Sequence, residues 1–398
     1  MYDPHVIGVT ALATTYGVGQ RLISVAVEYN EELYGADLST DCFAIDGFEI
    51  TNVFTATACR KNASRKGRFV QLTLNSTGDE ANMIGHTGRG RDARLFVRKP
   101  QITVSQLKPL QTASGKELAP FEGRNADRID RGMADHFIPA AFTTADGREL
   151  NYNLYMPERI VQGQIYPVVL FMHDAGSCSD DLSSPLVQGT GATVWAMEAD
   201  YGRRPCFVVA PQYPNVCAND EFEVTWEADA TVELLRDLML RYPIDSTRIY
   251  ATGQSMGCMM ICELMLRNPH FFAGCLLVAG QWDPVRMAAA KDENIWAIVS
   301  CGDVKAYPIM SDCMKEMRKA GGRLSYGHID ARADAAILDA AIRSQNEHNC
   351  NLNFTWFEGR SVIPDGIEEH PGMHHIFTWT KAYDIKALRE WLFEQRLL

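Results

Sequence analysis

The sequence predicts an α/β protein of two domains, in which a small all-β sandwich precedes a larger domain with a mostly parallel sheet. Three observations predict this architecture. The chain has 398 residues, more than the ~250 to 300 residues that one hydrophobic core usually serves. Short β-rich runs fill residues 5 to 110, and apolar strands alternate with helical segments after residue 136. The change of pattern marks two differently built parts.

The N-terminal runs have the period of half-buried strands. In RLISVAVEY, Ile23, Val25, Val27 and Tyr29 alternate with polar or small neighbours, which places them on one face of a strand. Several such strands at this spacing predict an immunoglobulin-like sandwich over residues 1–118. Residues 119–135 are polar and lack periodicity, so we interpret them as a linker.

The C-terminal part, residues 136–398, begins with a predicted hairpin and then alternates strands with helices. Its strands, among them YPVVLFM, CFVVAP, AGCLLVAG and IWAIVSCG, are continuous apolar runs. Such runs are typical of parallel strands covered by helices on both faces. We therefore expect a doubly covered sheet.

Charge and cysteine content limit the partners and the compartment. The net charge is −12, and a field of that sign disfavours nucleic acid and anionic membranes as partners. The 11 cysteines are odd in number and several lie in apolar runs, which favours a reducing compartment. The start, MYDPHVIGVT, shows no secretory signal, so we expect a cytoplasmic protein, with secretion as the alternative if a signal has been removed.

The strongest local motif is GQSMG at residues 253–257. It follows the strand RIYAT and opens the apolar segment CMMICELML, which gives a strand, a sharp turn and a helix. A serine on such a turn needs a strained backbone and nearly side-chain-free neighbours, which Gly253 and Gly257 provide. This context predicts that Ser255 is a nucleophile, with an ordinary Gly-Ser turn as the alternative.

A serine nucleophile needs a base, and the base needs an acid to orient it. In this kind of fold the order along the chain is serine, acid, histidine. Asp303 directly follows the strand IWAIVSCG and is the candidate acid; a loop-capping aspartate is the alternative. Asp312 and Asp330 are weaker rivals because of their positions in a predicted helix and after another strand.

The base should follow the last strand, NFTWF, which leaves His370, His374 and His375. The adjacent pair is favoured because it directly precedes the aromatic segment that leads into the last helix. A metal site is the competing interpretation, but neighbouring histidines point to different sides and no HExxH pattern or Cys pair stands nearby. We therefore predict no metal.

The remaining site residues concern the oxyanion and the pocket. The amide of Met256, after the nucleophile, and that of Ala175, in the HDAG segment after the strand VVLFM, are the expected oxyanion donors. Trp282 and Tyr307 follow two other strand ends and are candidates for the substrate pocket. Core packing is an equal alternative for both.

Residues from about 165 onward resemble the prolyl-oligopeptidase-like branch of α/β-hydrolases, which includes bacterial carboxylesterases, feruloyl-esterase-like enzymes and polyhydroxybutyrate depolymerase relatives. The motifs are VVLFMHDAG, IDSTRIYATGQSMG, IWAIVSCGD and HHIFTWTKAY. The N-terminal part, with VTALATTYGVGQRLISVAVEYN, looks like the immunoglobulin-like domain of a subset of bacterial esterases. The resemblance implies a triad of Ser255, Asp303 and His375, with His374 as the alternative base.

Two departures from the family pattern bear on the site. Asp174 stands where relatives often have glycine, and we expect its carboxylate to face away from the oxyanion. Cys258 replaces a second glycine after the motif.

The resemblance implies a serine carboxylesterase that hydrolyses short to medium acyl or aryl esters through an acyl-enzyme. It implies no cofactor, a small-molecule ester substrate and a homo-oligomer. A serine oligopeptidase or aminopeptidase, which would use the same triad, is the first alternative. A depolymerase or a feruloyl or acetyl esterase acting on polymers is the second, and a non-catalytic binding protein on a hydrolase scaffold is the third.

Overall fold

The computed structural model describes residues 4–88, 92–197, 200 and 202–397. The chain divides into two compact units. The first consists of Met1–Gly85 and Val97–Asp135, and the second of His86–Phe96 and His136–Leu398. A short excursion from the N-terminal sequence is therefore part of the second unit.

The N-terminal part of the chain is all-β. Its strands are β1 (Val6–Tyr16), β2 (Gly19–Tyr34), β3 (Phe43–Ile45), β4 (Ile50–Ala56), β5 (Lys66–Leu74), β6 (Ile84–Thr87), β7 (Arg94–Val97), β8 (Thr103–Gln106), β9 (Leu110–Gln111), β10 (Glu117–Leu118), β11 (Phe121–Asn125) and β12 (Arg128–Asp130). They form a five-stranded sheet in the order β12-β1-β2-β5-β4, a three-stranded sheet β11-β8-β3, and the pairs β9-β10 and β6-β7. Apolar side chains from the two larger sheets share one core.

A bulge in β2 changes which residues of the predicted strand reach that core. The register with β1 shifts where Leu12 pairs with Ser24 and Ala13 with Leu22, so Ile23 is the extra residue. Leu22 is buried and Ile23 is half-buried. Alternation therefore predicted the inward face correctly from Val25 onward but not at Ile23.

The predicted linker contains two strands of the N-terminal unit. β11 pairs antiparallel with β8, and β12 pairs parallel with β1. Each lies at the edge of its sheet, and all of their residues except Phe121 are exposed or half-buried. Such an edge strand does not need a continuous apolar face. This explains why residues 121–130 show no hydrophobic period. The second unit resumes at His136.

The second unit is built on a nine-stranded sheet. Its strands are β13 (Ile138–Thr143), β14 (Glu149–Tyr155), β15 (Tyr166–Met172), β16 (Phe207–Gln212), β17 (Ile244–Gln254), β18 (Gly274–Val278), β19 (Ile295–Ser300), β20 (Leu324–Ile329) and β21 (Leu352–Phe357). The order is β13-β14-β16-β15-β17-β18-β19-β21-β20. β13, β14 and β16 pair antiparallel, and all other neighbours are parallel.

Helices connect these strands. They are α1 (Ser184–Val187), α2 (Glu227–Arg241), α3 (Met256–Arg267), α4 (Pro284–Met287), α5 (Ala306–Lys319), α6 (Ala335–Asn346), α7 (Pro371–Ala382) and α8 (Lys386–Glu394). Every residue of β15, β16, β18 and β19 is buried, as doubly covered strands should be. The predicted α/β fold class is confirmed.

The carboxyl ends of the central parallel strands lie at one edge of the sheet, where ligands bind in open α/β folds. Residues 173–175 follow β15, Ser255 follows β17, and Asp303 lies just beyond β19. Chain topology therefore brings segments that are distant in sequence to one place. In the described part of the chain, no helix is both long and apolar enough to cross a bilayer.

Candidate active site

Ser255 occupies the sharp turn between β17 and α3. Its backbone has φ 51° and ψ −117°, a strained conformation for a residue with a side chain. A Cβ at Gly253 would lie 2.7 Å from the Gly257 carbonyl carbon, and one at Gly257 would lie 2.0 Å from the Met172 carbonyl oxygen. Both glycines are therefore required by close backbone approach, as the motif predicted.

We expect Gly257→Ala to destabilise the second unit by about 3 kcal/mol, because the new methyl group would collide with a backbone atom that cannot move aside cheaply. Urea unfolding followed by circular dichroism measures the change. Gly8→Ala is the control, since its Cβ would meet no atom closer than Asp127 Oδ2 at 3.5 Å. Equal stability of the two variants would contradict the steric account.

Ser255, His375 and Asp303 form one chain of hydrogen bonds. His375 Nε2 lies 2.8 Å from Ser255 Oγ, and His375 Nδ1 lies 2.6 Å from Asp303 Oδ2. Asp303 is 3% exposed, whereas the His375 side chain is 28% exposed. The spacing and order are those of a nucleophile, a base and an acid that orients the base. His375 lies within α7, not on the loop that the sequence pattern predicted.

Asp303 is both the partner of His375 and a helix cap. Its Oδ1 accepts hydrogen bonds from the backbone amides of Ala306 at 2.9 Å and Lys305 at 3.1 Å. Burial alone would raise the pKa of Asp303, but the hydrogen bond and charge of His375, with these two amides, bring the pKa below its ordinary value. The carboxyl group is therefore ionised at neutral pH. The Asp303 side chain therefore makes both sets of contacts: it caps the loop before α5, and it binds His375 as the triad prediction requires.

The lowered pKa of Asp303 predicts a contribution to acid stability. Between the folded and unfolded pKa values the unfolded chain binds more protons, so stability rises with pH there and is lost as pH falls through the folded pKa. We expect the unfolding free energy of Asp303→Asn to depend less on pH than that of the wild type below about pH 4. Denaturant titrations between pH 2.5 and 6 test this. Parallel curves for the two proteins would contradict it.

His374, the alternative base, is held elsewhere. Its Nδ1 lies 2.9 Å from Ser300 Oγ and its Nε2 lies 2.9 Å from Glu369 Oε1. The ring packs against Gly302, where a Cβ would lie 2.2 Å from the His374 Cε1 atom. The structure therefore brings His375, and not His374, to Ser255. His370 lies at the N-cap of α7.

The two residues predicted to supply the oxyanion amides line the same cavity. Ala175 begins a 3₁₀ turn after β15, and Met256 is the first residue of α3. Both line the cavity that Ser255 and His375 also line. Amides at the start of a helix favour developing negative charge.

The Asp174 carboxylate is held by two donors. Its Oδ2 accepts from Ser177 Oγ at 2.8 Å and from Gln254 Nε2 at 3.0 Å. The lining of the cavity comes from the neighbouring Ala175 and not from Asp174. Cys258 fits the tight space behind the nucleophile because Gly280 carries no side chain; a Cβ there would lie 2.5 Å from Cys258 Sγ.

His173 positions the oxyanion loop and was not predicted from the sequence. It is fully buried, accepts a hydrogen bond from the Tyr213 amide at Nε2 over 3.0 Å, and has Nδ1 2.7 Å from the Asp174 carbonyl oxygen. Burial lowers its pKa, so the ring is neutral with the proton on Nδ1. The position of His173 directly after a buried strand is the sequence feature that could have identified it.

The cavity at Ser255 has a volume of about 320 Å³. Its lining has an apolar group of residues, called the apolar wall below, formed by Val216, Ala218, Met256 and Met259. A polar group, called the polar wall, is formed by Asp220, Gln281 and Lys305, and the two groups meet where Gln281 Nε2 lies 4.0 Å from Met259 Sδ. All of these residues belong to the second unit.

Of the two predicted pocket aromatics, Trp282 lies in the core and Tyr307 is half-buried against it. Trp282 is completely buried and donates from Nε1 to Glu263 Oε2 at 3.0 Å. Tyr307 is stacked on Phe354, with 6.1 Å between ring centroids. Gln281, the residue before Trp282, lines the cavity, and neither Trp282 nor Tyr307 is among its lining residues. For Trp282 the structure agrees with the core-packing alternative.

Among the described residues, no group of three or more His, Cys, Asp and Glu side chains is arranged to hold a metal ion. Cys258 and Cys262 are buried within α3, whose Met256–Met265 stretch is buried throughout. Packing therefore accounts for this cysteine pair.

A family model and one solved structure support the same class. Residues 8–119 match the family model described as the esterase Ig-like N-terminal domain. The crystal structure of a thermostable esterase has a TM-score of 0.83 and 25% identity, over 98% of this chain and 100% of that chain. A mutant of the feruloyl esterase module from Clostridium thermocellum, complexed with sinapinate, has a TM-score of 0.41 and 13% identity, over 63% and 88%. No curated protein sequence matches the chain.

Fold and site together define a serine hydrolase of the α/β-hydrolase fold. The chain joins this fold to an immunoglobulin-like N-terminal domain of the esterase type. The expected similarity to esterases with an immunoglobulin-like N-terminal domain is confirmed.

Proposed function

We propose that the protein is a serine carboxylesterase in which Ser255 is the nucleophile, His375 the general base and Asp303 the orienting acid. The observation that carries this proposal is the unbroken hydrogen-bond chain from Asp303 through His375 to Ser255 at the wall of an open cavity. Nothing further is needed to activate a hydroxyl toward an ester carbonyl.

The reaction follows from the geometry. His375 Nε2 takes the proton of Ser255 as its Oγ attacks the carbonyl carbon, and Asp303 stabilises the imidazolium that forms. The amides of Met256 and Ala175 receive the oxyanion. His375 then returns the proton to the leaving alcohol. Water, activated by the same histidine, hydrolyses the acyl-enzyme and restores the free serine.

Ester hydrolysis is favoured over peptide hydrolysis by the charges in the cavity. An aminopeptidase needs an acidic side chain that is free to hold the peptide amine. Asp220 is the acidic side chain of this cavity, and it already forms an ion pair with Lys305. The proposed enzyme therefore has an active site with little affinity for an ammonium group.

The test is a series of p-nitrophenyl esters from acetate to octanoate beside an aminoacyl-p-nitroanilide. We expect turnover of the esters, with a preference for short to medium acyl chains, and no turnover of the anilide, because a cavity of about 320 Å³ holds a small group. Phenylmethanesulfonyl fluoride should stop the reaction: Ser255 Oγ displaces fluoride, and the peptide that contains Ser255 gains the mass of the phenylmethanesulfonyl group less one hydrogen. Hydrolysis of the anilide alone would favour the peptidase alternative. Activity on a feruloylated or acetylated polymer, without activity on these soluble esters, would favour the depolymerase alternative.

Assembly and compartment remain predictions. All eleven cysteines are free thiols in the structure, which supports the proposal of a reducing, cytoplasmic environment. Light scattering on the purified chain tests the proposed homo-oligomer.

A further inference from the structure

The polar wall of the active-site cavity is assembled from three separate segments. Asp220 belongs to the turn before α2, Gln281 follows β18, and Lys305 precedes α5. The Lys305 ammonium forms an ion pair with Asp220 Oδ1, and Gln281 Nε2 lies 3.4 Å from the same oxygen. Gln281 is buried, whereas the Lys305 and Asp220 side chains are 48% and 29% exposed. Water or substrate can therefore reach the pair.

This wall is linked to the base that protonates the leaving alcohol. His375 must return a proton to the alcohol oxygen, so that oxygen leaves beside His375 Nε2. The Asp303 carboxylate binds His375 through Oδ2, and its Oδ1 accepts a hydrogen bond from the backbone amide of Lys305. The backbone of Lys305 is thus linked to His375 through one carboxylate, which connects the polar wall with the residue that protonates the leaving alcohol.

The charges of the wall favour a neutral, hydroxylated group. Lys305 and Asp220 cancel each other, so neither an anion nor a cation gains a net attraction. A hydroxyl group can accept from the ammonium and donate to the carboxylate. An alkyl group at the same place would displace water from both charged groups and return no hydrogen bond, which costs binding energy.

We propose that Asp220, Gln281 and Lys305 form a subsite for the alcohol arm of the substrate, and that the substrates are esters of polyhydroxylated alcohols. The apolar wall of Val216 and Met259 then holds the acyl chain. This inference rests on the proposed esterase function and adds the class of alcohol.

The experiment compares two butanoate esters with the same carbon skeleton. 1-Monobutyrin and n-propyl butanoate differ only in two hydroxyl groups on the alcohol. We expect the wild type to show a kcat/KM for monobutyrin at least roughly 10-fold above that for the propyl ester, the size expected for one hydrogen bond to a charged group. A second pair, 6-O-butanoyl methyl glucoside and cyclohexylmethyl butanoate, is compared in the same way. If its ratio of kcat/KM values is larger than that of the first pair, the subsite prefers a sugar; if smaller, it prefers glycerol.

Lys305→Met should reduce the monobutyrin-to-propyl ratio to near one while the propyl ester is still hydrolysed. The substitution keeps the backbone amide that binds Asp303, so the triad is retained. Lys305→Arg keeps the charge and should restore most of the ratio. Lys315→Met is the matched control, because Lys315 forms an exposed ion pair with Asp312 on α5, Nζ to Oδ1 2.8 Å, and it should leave the ratio unchanged.

Gln281→Leu provides a second, independent variant if Lys305→Met does not fold, and it should also lower the ratio. A wild-type ratio near one, or a ratio that Lys305→Met and Gln281→Leu leave unchanged, overturns the subsite and leaves the esterase proposal standing. If the wild type hydrolyses neither ester, both the subsite proposal and the esterase proposal are overturned.

Discussion

Ser255→Ala is expected to lower kcat/KM for p-nitrophenyl butanoate by about 10⁴-fold or more. Ser255 Oγ is the atom that lies 2.8 Å from His375 Nε2, and without it no acyl-enzyme forms. The residual rate would come from the oxyanion amides and from binding alone. Steady-state kinetics measure the loss, and a pre-steady-state burst of p-nitrophenol, present in the wild type, should disappear.

The substitution should leave the fold intact. Alanine has the same Cβ as serine, so the strained backbone at φ 51° is no harder to form. Ser344→Ala, on an exposed face of α6, is the matched control and should keep full activity. If Ser255→Ala folds normally and retains more than about 1% of the activity, Ser255 is not the nucleophile.

Local sequence was sufficient where one short segment fixes the geometry. The motif around Ser255 joins a buried strand to an apolar helix, and its two glycines are required by contacts with Met172 and with each other. The topology of a parallel sheet then limits the acid to strand ends, which singled out Asp303. Order along the chain and spatial position agree here because each parallel strand delivers its C-terminal residue to the same edge.

Sequence was insufficient where tertiary contacts decide between neighbours. His374 and His375 are adjacent on α7, and only the packing of one against Gly302 turns the other toward Ser255. Gln281 reaches the cavity because Trp282 is fixed by a hydrogen bond to the buried Glu263. Neither contact has a local pattern that periodicity could reveal.

The N-terminal part shows the same limit in its backbone. A one-residue bulge at Ile23 reverses the inward face of β2. The edge strands β11 and β12 carry no apolar period because all of their residues except Phe121 are exposed or half-buried. Residues 86–96 belong to the second unit, where Leu95 N donates to the Cys178 carbonyl at 3.1 Å. The sequence could not predict that residues 86–96 belong to the second unit, because a pair of short strands has the same residue pattern in either unit.

His375→Ala is expected to reduce kcat/KM by about 10⁴-fold, while His374→Ala reduces it by less than about 10-fold. The first variant removes the group that accepts the proton of Ser255. The second removes hydrogen bonds to Ser300 and Glu369 and should instead lower the free energy of unfolding by about 1 to 3 kcal/mol. The two variants therefore separate catalysis from stability, with kinetics as one readout and urea unfolding as the other.

These two histidines also test whether packing alone selects the base. If His374→Ala loses as much activity as His375→Ala while its unfolding curve matches the wild type, then His374 acts in the reaction and the hydrogen-bond chain through His375 does not describe the working enzyme. If His374→Ala loses stability and keeps its rate, the role of His374 is to hold α7 so that His375 faces Ser255. Contacts of His374 with Ser300 and Gly302, at the end of β19, would then determine which of the two neighbouring histidines faces Ser255.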